Sequence, residues 1–88
     1  MKLIEGNYYF TAGFLDADLT IPIVTTIKYL SEDQTEQGEN VLLFEKIDFS
    51  SNGERMFVRP NDVDELVMTK RSLIDLLQQS LDGTLASP

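Results

Sequence analysis

The chain lacks cysteine, histidine and tryptophan altogether. Without cysteine there is no disulfide scaffold, no thiolate nucleophile and no thiolate zinc site. Without histidine, the commonest general base near neutral pH and the commonest metal ligand are both missing. Carboxylates, hydroxyls, lysines and tyrosines remain, a narrow set for catalysis, and they imply no cofactor and no metal. A non-enzymatic protein is expected. Long apolar runs are missing too. No stretch approaches the roughly 18 residues of a membrane span. The opening Met1-Lys2-Leu3-Ile4-Glu5-Gly6 is broken by polar residues before it reaches signal-peptide length. A cytoplasmic location without membrane contact is the expectation.

Basic residues are scarce: 7 Lys and Arg stand against 15 Asp and Glu, for a net charge of -8. Such a charge favours solubility and argues against nucleic-acid phosphate as the default partner. It is unevenly spread. Residues 31–54 hold Glu32, Asp33, Glu36, Glu39, Glu45, Asp48 and Glu54 against Lys46 alone, which accounts for most of the excess. The decapeptide 31–40 contains nothing apolar, so it reads as a solvated, flexible acidic connection between two strands.

With 88 residues there is room for one domain, placed at 1–83, and a fraying tail at 84–88. A domain this small buries only about 60–65 % of the surface its unfolded chain exposes. Most apolar residues are therefore needed for the core, and few are left to line a deep cleft.

Residues 7–14 read as an aromatic-rich strand, with Tyr8, Phe10, Ala12 and Phe14 on one face and Tyr9, Thr11 and Gly13 on the other. Asp16-Ala17-Asp18 reads as a turn. Residues 19–30 form a β-branched second strand, in which Ile21, Ile23, Thr25, Ile27 and Tyr29 alternate with Pro22, Val24, Thr26, Lys28 and Leu30. A third strand spans 41–49, and Asn52-Gly53 signals a hairpin into a fourth strand at 54–59 that stops at Pro60. Hairpin loops of two or four residues both place Leu43, Glu45, Ile47, Phe49, Met56 and Val58 on one face, expected to be core. The other face then carries Leu42, Phe44, Lys46, Asp48, Arg55, Phe57 and Arg59. Residues 65–68 are compatible with a short fifth strand. Thr69 is an N-cap signal for a helix over 70–81, with Gly83 as its C-terminal stop. The fold class is thus α+β: an antiparallel four- to five-stranded meander closed by one C-terminal helix.

Three constellations invite a functional reading. Asp16-Ala17-Asp18 begins like a calcium loop, but the positions that need glycine and glutamate hold Ile21 and Ile27, so turn chemistry is the better account. Arg55, Phe57 and Arg59, with Phe44 and Lys46 next door, interleave cations and aromatics in the manner of single-strand nucleic-acid binders. Tyr9, facing away from its aromatic neighbours, suits an interface. Nucleophilic machinery is missing: no Gly-rich elbow and no phosphate loop occurs.

The sequence therefore points to a small acidic interaction module, an adaptor, inhibitor or regulatory subunit. Its partner is a protein of unknown identity, with basic character favoured, or a second copy of the chain. Tyr9, Phe44, Lys46, Arg55, Phe57 and Arg59 are the candidate contacts on the sheet, and Glu32, Asp33, Glu36 and Glu39 steer the partner. Alternatives are a single-strand nucleic-acid binder and, more remotely, a carboxylate- or metal-dependent enzyme at Asp16/Asp18 or 61–65.

Overall fold

Alternating apolar residues with few helix formers leave the first two-thirds of the chain to strands. The computed structural model describes residues 2–47 and 53–83. Strands β1 (Tyr8–Phe14), β2 (Pro22–Gln34), β3 (Asn40–Ile47) and β4 (Arg55–Val58) follow one another in the sheet in chain order. All three pairings are antiparallel, so the sheet is an open meander. A 3₁₀ turn at Pro60–Asp62 leads into a one-turn helix α1 (Val63–Leu66), and α2 spans Lys70–Leu81. The class is α+β.

The segment expected as a fifth strand behaves differently. Glu65 and Leu66 belong to α1, and of this segment Met68 alone forms a backbone bridge to the sheet, to Phe10. Its N–H donates to the Phe10 carbonyl at 2.7 Å and its carbonyl accepts from Phe10 N–H at 2.9 Å. Two hydrogen bonds satisfy part of the β1 edge without adding a strand. The expected helix over 70–81 is present, with Thr69 Oγ1 accepting from Ser72 N–H and Gly83 at φ +72° beyond its end.

Half of the acidic segment 31–40 is ladder. Ser31 to Gln34 extend β2, and Asn40 opens β3. The reversal is confined to Thr35–Glu39: Gly38 N–H donates to the Thr35 carbonyl and Thr35 N–H to the Glu39 carbonyl, both at 2.9 Å. Gly38 sits at φ +82°, the left-handed conformation that closes a three-residue hairpin loop. A polar composition does not prevent pairing, because the ladder uses backbone groups.

The decisive difference lies in the β3–β4 register. Leu42 pairs with Val58, Leu43 with Phe57, Phe44 with Met56 and Glu45 with Arg55. An odd number of residues separates Glu45 from Arg55, whereas loops of two or four residues would give an even count. A one-residue change of register turns every side chain of a strand to the opposite face. Met56 and Val58 therefore join Phe44 and Leu42, not Leu43 and Ile47. The hairpin turn expected at Asn52-Gly53 falls partly outside the described residues, and Asp48, Phe49 and the tail at 84–88 fall wholly outside them.

The core forms on that face. Tyr9, Ile27, Tyr29, Leu42, Phe44, Val58, Val63 and Val67 make one buried cluster, with Leu3 and Met56 packed against it. Phe44 and Ile27 are completely buried, and each contributes roughly 1.5–3 kcal/mol of burial. The Tyr29 and Phe44 rings meet at 5.3 Å in a tilted arrangement. A register shift between Tyr29 and Ser31 marks a β-bulge that lets β2 bend as it continues into the arm.

Helix α2 meets the sheet along β1. Its last turns are tied to the loop after β1, where the fully buried Ser80 hydroxyl donates to the Leu19 carbonyl at 2.6 Å. The molecule is elongated, with extents of 42 × 29 × 22 Å. Its Cα radius of gyration, 14.4 Å, exceeds the roughly 12 Å expected of a domain of this length.

Candidate interaction surface

Register decides which side chains meet. Reading across the sheet, Tyr8 pairs with Lys28, Lys28 with Glu45 and Glu45 with Arg55, forming one row that crosses all four strands. The next row holds Phe10, Thr26 and Ile47, and beyond it Ala12 pairs with Val24. On the other side of the first row Leu43 pairs with Phe57. All of these residues share the face opposite the core.

That face is open where it matters. Tyr8 is 57 % exposed, Val24 39 %, Ile47 38 % and Phe57 62 %. Each of the four strands contributes one of them. Lone exposed apolar residues are ordinary; four share this sheet face, and Ile23, 48 % exposed, has the parity of the other. Leu43 and Val41, on the same face, are buried and give it a firm floor.

The charges of the face differ from those of the molecule. Lys28, Glu45 and Arg55 sit in the central row. Arg59, extended at φ -72° and ψ 142°, continues the alternation of Arg55 and Phe57. Cations thus outnumber acids on this part of a chain whose net charge is -8.

The sequence-derived candidates separate into three groups. Arg55, Phe57 and Arg59 lie together on the open face, and all three are exposed. Tyr9 and Phe44 do not. Tyr9 is 6 % exposed, packed in the core, and its hydroxyl accepts from Ile4 N–H at 2.9 Å, pinning the N-terminal segment. Phe44 is wholly buried. Lys46 follows Phe44's parity to the core side and pairs with Glu54 at 3.7 Å. The expected basic–aromatic patch therefore loses Phe44 and Lys46 and gains Lys28 and Tyr8. Glu32, Asp33, Glu36 and Glu39 are all exposed along the β2–β3 arm. Glu32 pairs with Leu42 and Asp33 with Val41, so these two point to opposite faces.

Sequence reasoning alone names none of Tyr8, Val24, Lys28 and Ile47 as a contact, and it places Ile47 on the face expected to be core, where the structure leaves it 38 % exposed. A usable signal was present. If Tyr8 pairs with Lys28, the lysine draws that face toward water and sends Tyr9 inward with Ile27.

The Asp16–Ala17–Asp18 segment is a turn. Asp16 accepts from Thr20 N–H and Ile21 N–H and from the Thr20 hydroxyl, which leaves its carboxylate occupied by its own loop. The Thr20 hydroxyl, more than the backbone donors, holds the Asp16 carboxyl below its ordinary value. Among the described residues no group of three or more carboxylates is placed to hold a metal ion. A cleft of about 490 Å³ lies between the N-terminal segment and the β2–β3 arm, bounded by Lys2, Leu3, Tyr29 and Glu32. Burial, reinforced by Glu32 and Glu5, raises the Tyr29 phenol above its ordinary value, so it stays protonated.

An open four-stranded meander with one apolar–cationic face is the class that fold and surface define. Comparison with known proteins adds no family to it: no family model matches the chain, and no curated protein or solved structure matches it. No helix among the described residues is long and apolar enough to cross a membrane.

Proposed function

We propose that this protein is a small non-catalytic interaction module that binds a protein surface through its open sheet face. The observation that carries the reading is the placement of Tyr8, Val24, Ile47 and Phe57, one exposed apolar side chain per strand, on a single face. Two aromatic side chains, Tyr8 on β1 and Phe57 on β4, together with Arg55 have the composition of interface anchors. The acidic arm, with Glu32, Asp33, Glu36 and Glu39, steers basic surfaces toward the molecule and sets the salt dependence of encounter. A photo-crosslinking residue installed at position 57 tests the reading. It is expected to label a protein in cells, while the same group at exposed Glu36 labels it weakly. No adduct from position 57 would reject the reading.

A second reading rests on the same face. Lys28, Arg55 and Arg59 interleaved with Tyr8 and Phe57 resemble a stacking platform for single-stranded nucleic acid. Fluorescence anisotropy with a labelled oligonucleotide at low and high salt separates the two. Binding that vanishes with salt and requires Arg55 and Phe57 favours nucleic acid, and no binding at low salt removes it.

A further inference from the structure

The central row of the open face is complementary to itself. Across β1 to β4 it reads Tyr8, Lys28, Glu45, Arg55, that is, aromatic, cation, anion, cation. A two-fold axis running along the strands, midway between β2 and β3 and parallel to the sheet, reverses this order in a facing copy. Lys28 then meets the second copy's Glu45, and Glu45 meets its Lys28. Tyr8 meets Arg55, a cation–π pairing, and this also occurs twice. A two-fold interface requires self-complementarity of this kind.

Area supports the same occupant. Strands of 7, 13, 8 and 4 residues cover roughly 500 Å² in plan at their usual rise and spacing. Side-chain relief raises the accessible area toward the ~800 Å² per partner of a standard interface.

We infer that two copies pack open face to open face as a two-fold sandwich, with Lys28 of each copy opposite Glu45 of the other. The inference rests on the proposed role of the open face as a binding surface and names its occupant as this chain itself. Aligned sheets about 10 Å apart are a standard packing.

Charge reversal with sedimentation analysis tests it. The full chain is expected to sediment as a dimer. K28E and E45K should each weaken dimerisation at least tenfold while keeping the wild-type circular dichroism spectrum. Mixed together, the two variants should recover a heterodimer, because both contacts become attractive again. A monomeric wild-type chain overturns the dimer, and so does a dimer indifferent to both reversals. The crosslinker at position 57 distinguishes the two failures. A monomer that labels another protein removes the dimer alone, whereas one that labels nothing removes the binding role of the face as well.

Discussion

Asp16 and Ser80 illustrate how single residues hold the irregular end of the sheet. Leu19 adopts φ +57° in the loop between β1 and β2, a left-handed conformation that costs a non-glycine residue about 1–2 kcal/mol. Asp16 offsets this by accepting from Thr20 and Ile21, and Ser80 by donating to the Leu19 carbonyl. The Asp16 carboxyl is held below its ordinary value of 3.8 in the folded state. Its stabilising contribution is therefore present above that value and lost as pH falls through the lower folded value. Asp16→Asn is expected to melt earlier than wild type at pH 7, with the gap narrowing below about pH 4. Equal melting temperatures at pH 7 would show that the loop does not depend on the carboxylate. Ser80→Ala removes a buried donor, and about 1 kcal/mol of destabilisation is expected after the better helix propensity of alanine is counted. That corresponds to a melting temperature roughly 4–8 °C lower.

Elements were legible where local chemistry decides them. Helix α2 follows from Thr69, the helical spacing of Leu73, Ile74, Leu76, Leu77 and Leu81, and Gly83. The second strand follows from its β-branched residues, although it begins at Pro22 and runs on to Gln34. Its extension was hidden because Glu32, Asp33 and Gln34 look like loop residues, while their backbone groups pair with Asn40 to Leu42. The reversal depends on Gly38, where an added Cβ meets no atom within 4 Å, so the penalty there is conformational and not steric crowding. Gly38→Ala is expected to cost about 1 kcal/mol, read as a lower midpoint in urea unfolding. Gly38→Asn, which tolerates this conformation, should recover much of the loss. Equal midpoints for Gly38→Ala and wild type would mean that the arm is not held in the folded ladder.

At the scale of the whole molecule, the charge is partitioned: acidity on the β2–β3 arm, a mixed and partly cationic row on the open face, and a buried aromatic core on the other. Composition determined the excess of acid, the lack of histidine and cysteine, and the predominance of strands followed by a helix. Pattern determined where α2 begins and ends and that Arg55 and Phe57 share a face. Which face is buried was decided only by the tertiary structure. Alternation gives two faces per strand and does not rank them, and in β1 both are aromatic. The connection between Glu45 and Arg55 set the parity that sends Met56 and Val58 inward with Phe44. The bulge after Tyr29 and the single bridge from Met68 to Phe10 are equally non-local. Each depends on contacts between residues far apart in the chain, and no window of local sequence contains that information.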